Sequence, residues 1–199
     1  MCNEHWKDYF DMKFLLQVVT FSILASPAIA EDVKRFSQHG DWEVFVDSEL
    51  CWASTFPALD RSVYKRGGKI IDTPNRGDEK YIAFTVAFQK GKSPRPEVAY
   101  SAGKFEFSTK SANANLFRLV VKGSNIKDKS FVLAAVNQSD MGWAYPVIEQ
   151  EPEIVDLLKK GANATVTVVS TRGTVISDTM SLIGITAALN EAQRECTTK

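Results

Sequence analysis

The chain has 199 residues, with 24 basic and 24 acidic side chains and so no net formal charge at pH 7. That balance excludes the basic footprint that a nucleic-acid-binding surface needs. At 44% hydrophobic and 24% charged residues the composition is that of a globular protein.

Phe14 to Ala25 (FLLQVVTFSILA) is a mostly apolar run of signal-peptide length, too short to span a bilayer. Ser26-Pro27-Ala28-Ile29-Ala30 follows it, and Ala28 and Ala30 form the small-x-small cleavage pattern. Residues 1–30 therefore read as a signal peptide processed between Ala30 and Glu31. The opening carries Glu4, Asp8 and Asp11 against Lys7, the wrong sign for a leader, so Met12-Lys13 is the expected true start. Residues 31–199 read as one domain with no integral membrane segment, located in the periplasm or secreted. Cys2 leaves with the leader, and Cys51 and Cys196 remain. Two cysteines in an oxidising compartment are expected to form one disulfide.

Gly40 to Asp47 alternates as a half-buried strand, with Trp42, Val44 and Val46 on one face and Phe45 as the exception. Cys51 to Phe56 reads as its hairpin partner, with Trp52 facing away from Cys51. Turns at Arg66-Gly67-Gly68-Lys69 and Pro74 to Asp78 flank a short Ile70-Ile71 strand. Lys80 to Gln89 is a stronger strand, ended by Gly91 to Pro96. Short strands are expected at Glu97 to Ser101, Phe105 to Ser108, Asn115 to Lys122 and Ser130 to Val136, the last two across a polar Gly123 to Lys129 turn. Asp140 to Pro146 (DMGWAYP) reads as a loop or short edge strand.

Pro152 at a first helical turn, between Glu151 and Glu153, starts a helix that Lys159-Lys160-Gly161 ends. A strand from Ala164 to Ser170, an Arg172-Gly173 turn and a strand from Thr174 to Leu182 follow. A closing helix from Thr186 to Cys196 places Ala188 or Leu189, Ala192 and Cys196 on one face. The Cys196 sulfur then points toward the sheet, where Cys51 can meet it. Many short strands at about ten-residue spacing indicate a β-sandwich with two helices in its C-terminal half.

Little of this carries chemistry. His39 is the one histidine past the leader. No Gly-x-Ser-x-Gly elbow supports a triad on it, so it reads as an exposed loop residue. Gly91-Lys92-Ser93 copies the tail of a phosphate-binding loop, but Val86 stands where the first glycine is required, and it reads as a turn. No cofactor or metal site is expected. Trp143 and Tyr145 form the candidate binding surface, because loops on a rigid scaffold often carry recognition. Asp178 falls on the apolar face with Ile176 and Met180, where a bare carboxylate is costly. It reads as a structural polar anchor paired with Arg172 or with a backbone amide.

Gly40-Asp41-Trp42-Glu43-Val44-Phe45, Cys51-Trp52-Ala53 and Arg66-Gly67-Gly68 resemble the N-terminal half of the invasion-associated locus B family. Lys159-Lys160-Gly161-Ala162, Ser170 to Thr174, Asp178 to Gly184, Thr186-Ala187-Ala188 and Cys196 resemble its C-terminal half. The departures are Met180 and Ile185, where aromatics are expected, and charged inserts around Lys110 and Lys127. The resemblance implies an exported bacterial protein with an immunoglobulin-like β-sandwich, and some members are linked to host-cell entry. It transfers no catalytic residue. The expected function is therefore a non-enzymatic envelope protein that binds another protein or a surface polymer. The alternative is a periplasmic hydrolase acting on envelope polymers through carboxylates such as Asp178.

Overall fold

The structure, a computed structural model, describes residues 33–91, 95–108 and 116–197. The signal peptide with its Met12 start, Lys92 and Ser93 of the phosphate-loop mimic, and the insert at Lys110 lie outside the described residues.

The strands are β1 (Lys34–His39), β2 (Trp42–Val46), β3 (Leu50–Thr55), β4 (Val63–Arg66), β5 (Lys69–Ile70), β6 (Ile82–Gln89), β7 (Glu97–Ala102), β8 (Arg118–Gly123), β9 (Ile126–Gln138), β10 (Met141–Pro146), β11 (Asn163–Val169) and β12 (Thr174–Ser181). The helices are α1 (Glu151–Leu158) and α2 (Ile185–Thr197). Pairing is antiparallel, in the order β1-β2-β3-β6-β7-β10-β9-β8-β11-β12-β4-β5. The long β9 joins the two layers. Its residues from Ile126 to Val132 pair with β8, while Leu133–Gln138 pairs with β10. The first layer is thus β1-β2-β3-β6-β7-β10 with the end of β9, and the second is the start of β9 with β8-β11-β12-β4-β5. Side chains of both layers meet in one buried cluster that includes Trp42, Phe84, Tyr100, Leu119, Val166 and Ile176. The protein is a mainly β, antiparallel sandwich with two helices in its C-terminal half, as the residue pattern implies.

Three local differences have physical reasons. β1 lacks an apolar alternation because it is an edge strand whose side chains are mostly exposed. The polar stretch Ile126 to Lys129 is strand rather than turn, since Gly123 pairs with Ile126 and only Ser124 and Asn125 remain to reverse the chain. Phe105 to Ser108 shrinks to a single bridge between Phe107 and Ser170.

The closing helix α2 buries Ile185, Ala188, Leu189, Ala192 and Cys196. It lies on the core side of the first layer, against β2 and β3. Cys196 is bonded to Cys51 with a Cα–Cα separation of 5.5 Å, across 145 residues of chain. The other end of α2 is held by backbone packing. Gly184 has φ +92°, and a Cβ there would stand 1.9 Å from the His39 carbonyl oxygen. The Asp41 N–H donates to the Ile183 carbonyl at 3.1 Å across the same seam. Only a glycine with a left-handed backbone permits this approach. Replacing Cys51 or Cys196 with serine is expected to lower unfolding stability by roughly 2–5 kcal/mol. Urea titration of the variant against the oxidised wild type checks this, and an unchanged midpoint contradicts it.

Candidate functional site

Asp178 lies on β12 at 0% exposure, facing the core as the alternation requires. Its partner is Arg76, from the loop before β6, not Arg172. The Arg76 guanidinium donates Nη1–H to Asp178 Oδ1 at 3.0 Å and Nη2–H to Oδ2 at 2.7 Å, a bidentate pair. Arg76 also donates Nε–H to the Ala102 carbonyl, Nη1–H to the Tyr64 hydroxyl and Nη2–H to the Tyr100 hydroxyl. The Tyr100 hydroxyl donates in turn to Asp178 Oδ2 at 2.5 Å. Burial, seconded by Asp178, holds the Tyr100 phenol well above its ordinary range. Burial opposes the charge on Arg76, but Tyr100 and Asp178 outweigh it and raise the guanidinium overall. The expected pairing with Arg172 fails because Arg172 lies in the turn at the end of the β11–β12 hairpin, while Asp178 lies further along β12 and faces the core. Asp178 stands opposite Val166, three register steps from the Val169–Val175 pair that closes the turn. Arg172 is exposed in that turn, where it lines an open cleft of about 450 Å3 with Arg66, Lys104, Glu106 and Asp140.

Asp178 cannot meet a substrate from this position, since neither it nor Arg76 reaches solvent. Removing one partner strands the other charge in the core, so Asp178→Ala is expected to cost about 3–5 kcal/mol. An apolar replacement of both partners is expected to cost less than Asp178→Ala alone, and thermal denaturation of the two variants checks the order.

His39 is also not a loop residue. It sits on β1, two positions from Ser37, so both point to one face and meet Glu191 of α2. Glu191 Oε2 accepts from the Ser37 hydroxyl and lies 2.5 Å from His39 Nε2. Ser37 Oγ and His39 Nε2 are 3.4 Å apart. A nucleophile–base–acid relay needs the serine and the carboxylate on opposite ring nitrogens. Here both face Nε2, so the group acts as a latch between β1 and α2. Arg194 adds a further donor to Glu191 at 2.9 Å.

The Ser37 hydroxyl, seconded by His39, holds the Glu191 carboxyl below its ordinary value of 4.5. A depressed carboxylate contributes stability above its unfolded value and loses it as pH falls through the folded one. The melting temperature of wild type should therefore exceed that of Glu191→Gln near neutrality. The gap should close as pH drops below about 4.5. A gap independent of pH contradicts the latch.

Trp143 and Tyr145 lie on β10 inside the first layer, hydrogen-bonded to β7 on one side and β9 on the other. The reading as a loop or edge strand is thus corrected: the Gly/Pro flanks that suggested a loop are absorbed by pairing along the whole of β10. Both side chains face away from the core and belong to a second apolar cluster with Leu50, Trp52, Ala87, Ala99 and Met141. Their rings stack at 6.3 Å. On the opposite side of this outer face, Phe45 of β2 stacks on Trp52 of β3 at 5.5 Å. Between the two aromatic rails run β6 and β7, whose outward side chains are small: Thr85 and Ala87, Ala99 and Ser101. Alternation along all four strands therefore gives a trough-like outer face with aromatic walls and a low floor, whose side chains are buried, Trp143 at 2% exposure, Trp52 at 7% and Thr85 at 0%. Sequence reasoning found one wall. The floor was legible only as small residues at alternate positions, which mean nothing until the strand order is known.

Among the described residues no group of three or more His, Cys, Asp or Glu side chains is placed to hold a metal. No described helix is long and apolar enough to cross a membrane.

Residues 117–193 match the family model described as Invasion associated locus B (IalB) protein. Over those residues the chain is similar to the invasion associated locus B family. The matched stretch runs from β8 through most of α2, so it holds Trp143, Tyr145 and Asp178 but neither bonded cysteine. The resemblance read from the sequence therefore stands over its C-terminal half. The crystal structure of invasion associated protein b from Bartonella henselae aligns with 80% of this chain and 96% of that one, at 10% identity and a TM-score of 0.47. No curated protein matches the chain.

Proposed function

We propose that this is an exported, non-enzymatic envelope protein, periplasmic or secreted, that binds another protein. The observation that carries the reading is the trough on the outer face of the first layer. Trp52 and the Trp143–Tyr145 pair stand on strands three spacings apart, about 14 Å at about 4.8 Å per spacing. Aromatic side chains gathered on one outer face supply the large contact area that protein recognition uses. A hydrolase acting through Asp178 has no support in this geometry, because that carboxylate is locked to Arg76 in the core. The IalB similarity and the Cys51–Cys196 bridge support export, since disulfides persist in oxidising compartments.

A photo-crosslinker at Val136, which packs at the edge of the trough, tests the partner class in living cells. The expected product is an adduct to an envelope protein. Ala99→Trp, which fills the floor without touching the core, should abolish it. An adduct that survives Ala99→Trp, or one to a saccharide polymer alone, overturns the reading.

A further inference from the structure

The open cleft of about 450 Å3 beside Arg172 shares no residue with the apolar cluster on the outer face of the first layer. Its volume falls within the range of small-molecule sites. Loops from both layers build it: the stretch after β7, the β9–β10 and β11–β12 turns, the end of β4 and the loop at Asn75. Backbone bonds fix these walls in place. The Lys104 N–H donates to the Arg76 carbonyl at 2.9 Å, the Thr171 N–H to the Glu106 carbonyl at 3.0 Å and the Ser108 N–H to the Val169 carbonyl at 3.0 Å. Gly142 of β10 packs against the same loop, where a Cβ would stand 2.2 Å from the Phe105 carbonyl oxygen. Arg76, locked to Asp178, holds the neighbouring Asn75 at the rim. The cleft is formed before any ligand arrives.

Its charges do not satisfy one another. Lys104, Glu106, Asp140 and Arg172 line the cleft, yet among the described residues none of these four side chains makes an ion pair or a hydrogen bond. Arg66 donates Nε–H and Nη2–H to Thr174 Oγ1 at 2.9 and 2.7 Å, which sets the plane of its guanidinium at the same rim. Lys104 and Glu106 are two residues apart on one loop, so the signs are interleaved rather than segregated. An anion entering here meets two carboxylates, and a cation meets three basic groups. A zwitterion needs two separate patches of opposite sign. A hydroxyl group suits an interleaved set, because it donates to a carboxylate while accepting from a guanidinium or an ammonium. Phe105 lines the cleft half-buried and offers an apolar patch to the C–H face of a sugar ring.

The turn that carries Asp140 adds an independent sign. Ser139 and Asp140 alone link Gln138 to Met141, with φ of 49° and 64°. Two-residue hairpin turns with both residues left-handed favour glycine at the second position. The turn does not call for a carboxylate there, and the cleft uses one. We infer that this cleft binds a neutral, hydroxyl-rich saccharide. Asp140 and Glu106 accept from its hydroxyl groups, and Arg66, Lys104 and Arg172 donate to their oxygens. This site goes beyond the protein-binding face and does not rest on it.

An array of neutral oligosaccharides, acidic oligosaccharides and zwitterionic dipeptides, probed with the purified protein, tests the ligand class. Calorimetric titration of the strongest hit follows. The expected hit is a neutral saccharide, and Asp140→Gly and Arg172→Ala should each weaken it at least about tenfold. Glycine suits the left-handed turn, so Asp140→Gly should melt no lower than wild type while losing binding, a split that a merely structural residue does not give. Arg172→Ala removes an exposed side chain with no bonds among the described residues and should melt with wild type. Short and long members of the hit's own series separate the two sources of such a ligand. Affinity independent of length marks a free sugar, affinity that rises with length marks a polymer, and both support the inference. No saccharide bound, binding confined to acidic glycans or dipeptides, or affinity unchanged in both variants overturns it. The crosslinking at Val136 reads a different face, so either reading can fail while the other stands.

Discussion

The sandwich depends on a charge pair that neither layer could bury alone. Asp178 comes from β12 in the second layer, Tyr64 from β4 beside it, and Tyr100 with the Ala102 carbonyl from β7 in the first. Arg76 reaches into the interior from a loop and bonds to all four. An isolated guanidinium or carboxylate at this depth would cost several kcal/mol, and the pair is tolerable because every strong donor or acceptor near it is used. The network is satisfied at one spacing and one register of the two layers. It therefore acts less as a source of net stability than as a constraint on how the layers face each other.

That constraint positions the rest. With β7 and β12 held together, the core face of the first layer is covered by the second layer on one side and by α2 on the other. α2 is fastened at both ends by different means. The Gly184 and Gly40 backbones interlock at its start, the Ser37–His39–Glu191 latch holds its middle, and the Cys51–Cys196 bridge holds its end. A helix fixed so firmly to one face leaves the other face of the same strands to be defined by alternation alone. The outward residues of β3, β6, β7 and β10 then become a trough by strand order, large at the sides and small in the middle.

The distribution of polar groups separates this face from the others. The cleft beside Arg172 is open and mixed in charge, with Arg66 and Lys104 opposed by Glu106 and Asp140, so it offers no single-sign field for a ligand. The outer face of the first layer instead sets aromatic side chains at its sides around a floor of small residues, on which the Ser54 and Thr85 hydroxyls bond to each other.

Residue pattern alone determined the β-sandwich class, both C-terminal helices, the core side of Trp42 and of Asp178, and the Cys51–Cys196 pairing. Each is a local periodicity of 2 or 3.6, or an arithmetic of cysteines, and local periodicity is written in neighbouring residues. Tertiary structure decided what depends on elements far apart in the chain. Arg76 and Asp178 are 102 residues apart, and Ser37 and Glu191 are 154 apart. No spacing rule connects such residues before the strand order is known. β10 was legible as aromatic but not as an inner strand, because Gly142 and Pro146 weaken the strand pattern and only ladder bonds to β7 and β9 override that weakness. The trough is the extreme case. Alternation shows which residues of a strand share a face, but a surface of four strands exists only once their lateral order is set. That order is fixed by the packing of the whole sandwich.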